Sequence, residues 1–578
     1  MTRQDAFFNN QSDKNTNQSE HDSQPAESGR GILRRDFLKY SAAGSILTAT
    51  AAAGGLGGLL AGCEKHEPVE KITEKVMPFR YSEITVPEIQ QLMASGKLSS
   101  RELTAAYLER IDKIDKNGPG LNAVIEINPE ALVLAEAMDA ERKAGRARGL
   151  LHGIPVLLKD NIGTADQMQT TAGSLALMNA RPKEDAFLVK QLRAAGAIIM
   201  GKTNLSEWAN FRDSLSSSGW SGRGGQTKNP YALDRNPCGS SSGSAVAVAA
   251  NLTMLAVGTE TNGSIVCPSG VNGIVGIKPT LGLVSRSGVI PLAHSQDTAG
   301  PMARTVKDAT HLLEVMVGVD SRDAITKQRE RKQLSDYAKF LSADGLSGAR
   351  IGVVRHYFGF HPRVDAIMET AIGEMSKAGA VIVDPVEIKT YKDFGAASFQ
   401  VLLYEFKADL NQYLAELGPE AEIHSLEELI AYNKAHTDRE MPFFGQDLLE
   451  MAQEKGPLAS KDYKDAREKA RRLAGPEGID AAMEKHNLDA LIAPTNGPAW
   501  LTDHVNGDHF LGGSSSPAAV AGYPNITVPA GDVFGLPIGI SFFGRAFTEP
   551  ILLRIAYGYE QKSGKRIAPN FPASVNLS

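Results

Sequence analysis

The sequence predicts an α/β protein built on a mixed central sheet. Two observations carry this. From residue 81 onward, short apolar runs with strand character alternate with helical stretches along the chain. One long segment, residues 388–486, is instead mainly helical and amphipathic, and reads as a cap or flanking insert. At 578 residues the chain is long enough for a sizeable core, and its 42% hydrophobic and 22% charged residues are ordinary for a globular protein. A net charge of −6 gives no electrostatic case for nucleic-acid binding.

The elements follow in order. Residues 86–113 read as two helices, the second capped by Ser99-Ser100 ahead of Glu102. Residues 129–145 form an Ala/Glu-rich helix with Pro129 at its start, where a missing N–H costs nothing. The run 153–159 is short, apolar and strand-like. A helix at 187–195 leads to a strand at 197–200, and a small-residue helix at 244–251 to a buried strand at 252–258. Later strands are expected at 351–354, 381–383, 491–492 and 538–542.

Ahead of this body lies a different kind of sequence. Arg34-Arg35-Asp36-Phe37-Leu38-Lys39 precedes an Ala/Gly-rich apolar run at 40–60 that ends in Leu60-Ala61-Gly62-Cys63. The order resembles a twin-arginine export signal joined to a lipoprotein cleavage box. It implies that residues 1–62 are removed and that the export machinery reads Arg34 and Arg35. Cys63 then becomes a lipid-bearing N-terminus, residues 63–80 a solvated tether, and residues 81–578 a single domain facing the periplasm or cell exterior. An uncleaved anchor is the alternative, since about 20 apolar residues span a bilayer. Gly54, Gly55, Gly57 and Gly58 weigh against it. Of the three cysteines, Cys238 and Cys267 then remain; their spacing fits no zinc pattern, and both read as free structural thiols.

The chemistry lies in three places. Ser240, Ser241 and Ser242 stand between Gly239 and Gly243 at the start of an alanine-rich helix, where unpaired backbone N–H groups favour negative charge. A serine-rich cap is the plain reading. The run also matches the nucleophile elbow, with Ser241 as nucleophile and a histidine such as His294 as base. That motif requires a strand leading into it, and residues 229–237 are turn-rich with two prolines. The strand at 252–258 leads into Thr259-Glu260-Thr261-Asn262-Gly263-Ser264, a turn able to present consecutive backbone N–H groups around a hydroxyl, as acyl transfer requires. It lacks a local base. Lys159 ends an apolar run, and desolvation there would lower its pKa and supply a neutral amine; a snorkelling surface lysine is the plain alternative.

These residues together resemble the amidase signature family. The resemblance rests on Gly153-Ile154-Pro155-Val156-Leu157-Leu158-Lys159-Asp160-Asn161, Gly201-Lys202-Thr203-Asn204, Gly239-Ser240-Ser241, Gly263-Ser264-Ile265 and Gly276-Ile277-Lys278-Pro279-Thr280. Near the C-terminus, Ala521-Gly522-Tyr523-Pro524 and Leu536-Pro537-Ile538-Gly539 fit as well. It implies a mixed sheet flanked by helices on both faces, with a helical cap. It also implies a catalytic triad: Lys159 as base, Ser240 as a bridging serine after a cis peptide, and Ser264 as nucleophile. Backbone N–H groups of Thr261, Asn262, Gly263 and Ser264 would hold the oxyanion, with no metal or organic cofactor. The chain departs from the family pattern at Cys238 and Ser242, at Glu260 and at Asn262, without losing a triad member.

Within the family, Gly219-Trp220-Ser221-Gly222-Arg223-Gly224-Gly225-Gln226-Thr227 and Ser264-Ile265-Val266-Cys267-Pro268 are most similar to bacterial peptide amidases. The resemblance thus implies hydrolysis of amide C–N bonds, those of C-terminal peptide amides first. Small aliphatic or aryl amides, an amidotransferase A-type subunit, and a tethered binding protein without activity are the alternatives.

Overall fold

The computed structural model describes residues 79–331 and 336–577. Arg34, Arg35 and Cys63 lie outside the described residues. No described helix is long and apolar enough to cross a membrane.

Thirteen strands are described: β1 (Val124–Ile127), β2 (Pro155–Lys159), β3 (Ile198–Thr203), β4 (Trp220–Ser221), β5 (Gly225–Gln226), β6 (Leu255–Glu260), β7 (Val275–Lys278), β8 (Thr298–Ala303), β9 (Arg350–Val353), β10 (Val381–Val383), β11 (Ala490–Pro494), β12 (Asn525–Val533) and β13 (Leu536–Phe543). β4 and β5 form a separate ribbon. The other eleven make one sheet in the order β1-β3-β2-β6-β8-β7-β12-β13-β11-β9-β10. Its pairing is mixed, as expected. β3, β2 and β6 run parallel, β6 through β8, β7, β12 and β13 to β11 run antiparallel, and β11, β9 and β10 are parallel again. Every residue of β2, β3, β6, β7 and β8 is buried, which is why these segments read as continuous runs and not as alternation.

Helix Ser242–Ala249 is buried along its whole length. Its small side chains permit this, and Gly243 is indispensable: a Cβ there would lie 2.2 Å from Ala123 O and 2.6 Å from Asn204 O. Helices Val86–Ala94 and Ser100–Arg110 occupy the first predicted helical region. Ser99 caps the second, its Oγ accepting from Glu102 N at 3.1 Å while the Glu102 carboxylate accepts from Ser99 N at 2.8 Å.

Strand boundaries depart from expectation for local reasons. The predicted strand at 252–258 begins later, at Leu255, because the preceding helix ends in Asn251 at φ 58° and the chain must turn before it can pair. The strand expected at 197–200 runs on to Thr203, through Lys202, a fully buried lysine. β8 was hidden by Gly300 and Pro301, residues that ordinarily interrupt strands. There the glycine is needed, since a Cβ would lie 2.0 Å from Ile277 O. In β12, Pro529 stands where the register shifts.

The segment expected as a cap is helical, from Gly395–Glu416 through Lys461–Ala474 to Ala481–His486. Leu403, Phe406, Leu410 and Leu429 of this insert share a core with Leu177, Trp208 and Phe211 of the main body.

Candidate active site

Lys159 is the last residue of β2, and its side chain is fully buried. Its Nζ lies 2.7 Å from Ser240 Oγ, 2.9 Å from Thr259 Oγ1 and 3.2 Å from Thr259 O. Burial pushes the amine down to about 7, against the pull of the Asp297 and Glu260 carboxylates. A neutral amine has two N–H donors and one lone pair. The two Thr259 oxygens take the donors, and the lone pair then meets the Ser240 hydroxyl proton. Asn161 Nδ2 donates to the same Thr259 Oγ1 at 3.0 Å and fixes it. Two other buried lysines, Lys202 and Lys278, are both pushed down to about 8 by burial. Lys202 donates to Ile162 O and Thr170 Oγ1, and Lys278 to Pro279 O; neither meets a serine.

The peptide bond between Gly239 and Ser240 is cis. Ser240 O accepts from Ser206 N at 3.1 Å, and a Cβ on Gly239 would lie 2.1 Å from Ser206 Oγ. The neighbouring serines are occupied elsewhere. Ser241 Oγ donates to Thr259 O at 3.0 Å and accepts from Thr259 N at 3.2 Å. Ser242 Oγ donates to Cys238 O, and Ser244 Oγ donates to Val257 O. Only Ser240 faces the amine.

Ser264 lies in the turn between β6 and helix Val266–Val271. Glu260 shapes this turn by accepting from Ile265 N at 2.8 Å and Val266 N at 3.1 Å. Gly263 sits at φ 83°, which favours glycine. Ser264 O accepts from Ser241 N at 3.1 Å, which sets the turn beside the serine loop. The Ser264 hydroxyl bonds to no described residue, so the structure joins Lys159 directly to Ser240 and leaves Ser264 alongside them, 7% exposed. No amide from Thr261 to Ser264 donates to another described residue. The Asn262 side chain is tied down, accepting from Ser515 Oγ at 2.7 Å and donating to Ser516 Oγ at 3.1 Å.

One expectation needs correction. Cys238 and Cys267 are not free thiols; they form a disulfide with Cα atoms 6.1 Å apart. It joins the residue two before Ser240 to the residue three after Ser264. A spacing that fits no zinc pattern says nothing about pairing, which here is a tertiary event between a loop and a helix.

The elbow alternative does not hold either. Ser241 is committed to Thr259, and His294 lies against the helical insert, with Nδ1 2.9 Å from Asp409 and Nε2 3.3 Å from Glu405. Burial disfavours the imidazolium, but the Asp409 hydrogen bond and the two carboxylate charges outweigh it and hold the pKa above its usual value. His294, Glu405 and Asp409 are also the one grouping among the described residues with metal-ligand spacing. With the His294 ring nitrogens set against Asp409 and Glu405, the group is already satisfied. Sequence reasoning also missed Thr259, which anchors the amine, and Asp297, which accepts from Thr261 Oγ1 at 2.5 Å and, with Asn161, Thr259 and Thr261, lines a cavity of about 260 Å³. Burial pushes Asp297 up to about 6.

A mixed α/β sheet carrying a buried amine set on a serine defines a class: serine hydrolases of amide bonds. The chain belongs to the Amidase family, whose model matches residues 102–553. It is 52% identical to the native peptide amidase of Stenotrophomonas maltophilia, with a TM-score of 0.81 over 86% of this chain and all of that one. A probable amidase of Arabidopsis thaliana is 41% identical over 505 residues, covering 86% of this chain and 93% of that protein. A putative amidase of Schizosaccharomyces pombe is 37% identical over 516 residues, covering 84% of this chain and 86% of that protein. The protein is therefore an amidase, a hydrolase of amide or peptide-amide substrates.

Proposed function

We propose that the protein releases ammonia from the C-terminal amides of peptides, through Lys159, Ser240 and Ser264. Neutral Lys159 takes a proton from Ser240, which takes one from Ser264. Ser264 Oγ attacks the amide carbon, and the amides from Thr261 to Ser264 hold the oxyanion. The proton returns through Ser240 to the departing ammonia. Water, activated by the same relay, hydrolyses the acyl-enzyme. General-base assistance of this kind contributes roughly 10²–10⁴ in rate. The observation that carries the reading is the 2.7 Å contact between a fully buried lysine amine and the Ser240 hydroxyl.

The same proposal includes export. Residues 1–62 are the signal, Cys63 the lipidated N-terminus that meets the membrane, 63–80 the tether and 81–578 the amidase domain. The Cys238–Cys267 disulfide supports it, because such bonds persist in oxidising compartments.

The test is ammonia release by the purified protein from peptide amides and from simple carboxamides, with Ser264→Ala in parallel. Hydrolysis of peptide amides with a loss of at least about 10³-fold in the variant is expected. Turnover of simple carboxamides alone would remove the peptide reading, and full activity in the variant would remove the nucleophile. For export, labelling with a radioactive fatty acid in the native host should depend on Cys63.

A further inference from the structure

The loop at 497–513 leaves from and returns to the surroundings of Ser264. At its base Asn496 bridges to Gly513, and just beyond it Ser515 Oγ donates to Asn262, two residues before Ser264. Along its flank, Asn236 N donates to Trp500 O at 2.7 Å, and Asp508 accepts from Asn236 Nδ2 at 3.2 Å and from Ser218 N at 2.9 Å. Asn236 Oδ1 in turn accepts from Cys238 N, two residues before Ser240. His504 Nε2 lies 2.9 Å from Gln226 Oε1 in β5. The loop is thus pinned to the Ser264 turn, the Ser240 loop and the β4–β5 ribbon.

So constrained a loop nevertheless leaves large apolar side chains in water. Twelve large hydrophobic side chains are exposed among the described residues, and five of them gather here: Leu501, Val505 and Phe510 on the loop, Phe443 beneath it, and Leu215 beside Gly507. Val505 is 91% exposed. Phe443 stacks on His504 at 4.0 Å between centroids and stands edge-on to Trp220 at 5.8 Å. Trp220 and Phe444 both pack against the Arg212 guanidinium, which is buried and paired with Glu207. Scattered exposed apolar residues need no explanation; a cluster on a preformed floor marks a binding surface.

We infer that this collar is the acyl-side subsite, and that it selects amidated peptides whose residues next to the amide carry large apolar side chains. The inference rests on the peptide-amide reading. Its occupant is the substrate because the loop that carries the collar meets the Ser264 turn at its base, where Ser515 Oγ donates to Asn262, and is tied to the Ser240 loop through Asp508 and Asn236, which sets this apolar surface beside both serines.

The experiment compares kcat/KM of the full enzyme for N-acetyl-alanyl-phenylalaninamide and N-acetyl-alanyl-glycinamide. Phe443→Ser and Val505→Ser are measured beside Val133→Ser, an exposed apolar position elsewhere on the surface. The wild type is expected to prefer the phenylalaninamide by about tenfold or more. Each collar variant is expected to cut that ratio at least about threefold, chiefly through KM, and Val133→Ser to leave the ratio in place. Thermal unfolding identifies any variant that lowers activity by misfolding; Val505, being the more exposed, then decides. A ratio near one in the wild type, or an unaltered ratio in both collar variants, overturns the inference and leaves peptide-amide hydrolysis standing. Loss of binding to lipid vesicles with the ratio intact would make the surface a membrane face and overturns it as well. If simple carboxamides react and no peptide amide does, the peptide reading has failed and the inference falls with it.

Discussion

Replacing Lys159 by methionine should remove activity and yet stabilise the protein near neutral pH. Free lysine titrates near 10.5, and the buried amine is pushed down to about 7. Each tenfold change in proton affinity is worth about 1.4 kcal/mol. Holding the amine in the folded protein at pH 7 therefore costs on the order of 5 kcal/mol relative to the unfolded chain, where it is charged and hydrated. Methionine of similar length carries no such penalty. It forfeits three hydrogen bonds: the two to Thr259, whose oxygens keep Asn161 and Ser241 as partners, at about 0.5–1.5 kcal/mol each, and that to the buried Ser240 hydroxyl, which loses its partner, at about 1–3 kcal/mol. The expected net gain is about 1 kcal/mol. The sign with pH follows from the lowered value. The penalty is absent above 10.5, grows as pH falls, and is complete below about 7, so the advantage of Lys159→Met should shrink steadily from pH 7 toward 10.5. In the wild type, kcat/KM should rise with pH through about 7, as the amine loses its proton, and this limb should vanish with the variant's activity. Denaturant or thermal unfolding at pH 6.5, 8 and 9.5, together with the pH profile, measures both. A variant less stable than wild type at pH 6.5, or a stability difference independent of pH, would refute the account of a buried amine that titrates far below a free lysine.

Two further outcomes are expected. Reducing the disulfide, or replacing Cys238 and Cys267 by serine, should destabilise the protein by about 3–4 kcal/mol for a closed loop spanning 29 residues; an unfolding midpoint unmoved by dithiothreitol would show that the bond contributes nothing. Ser241→Ala deletes two hydrogen bonds to Thr259 and should lower stability by about 1–3 kcal/mol with less than about a tenfold fall in kcat. A collapse of kcat matching that of Ser264→Ala would instead return Ser241 to the role of nucleophile.

What could be read from the sequence is what is contiguous in it. The apolar run before Lys159 announced a strand ending in a buried cation, and the glycines around Ser240 and Ser264 announced tight backbone turns. Apart from the family resemblance, the apolar pattern could not tell Lys159 from Lys202 or Lys278, because all three end or interrupt apolar strands. What separates them is which oxygen the amine meets, and that depends on packing. The Cys238–Cys267 bond was illegible for the same reason. β8 was missed because Gly300 and Pro301 are breakers on average, while between β6 and β7 the glycine is required by a carbonyl that leaves no room for a Cβ. Of the collar, Phe443 alone was legible, in the helical insert at 388–486 that reads from the sequence as shaping the acyl pocket; Leu215, Leu501, Val505 and Phe510 were missed because they come from two other stretches of chain and singly each is an ordinary exposed side chain.

The mixed pairing of the sheet is what makes the site possible. β2 and β6 are parallel neighbours in register, Leu157 opposite Ala256 and Leu158 opposite Val257. Both chains therefore leave the sheet at the same edge, with Lys159 one residue further on and Thr259 close beside it. An antiparallel β6 would deliver Thr259 and the Ser264 turn to the opposite edge, several strand residues away at about 3.3 Å each. Helix Ser242–Ala249 then needs to bring only Ser240 to this edge, and it does so by lying buried against the sheet on residues small enough for close approach. At Gly258 a Cβ would lie 2.8 Å from Ser241 Oγ and 2.7 Å from Met302 Sδ. A side chain there would push Ser241 off Thr259 and, with it, the loop that holds Ser240 against the lysine. The reactive contact thus depends on the strand direction of β6 and on glycines at 239, 243 and 258 that make no contact with the amine themselves.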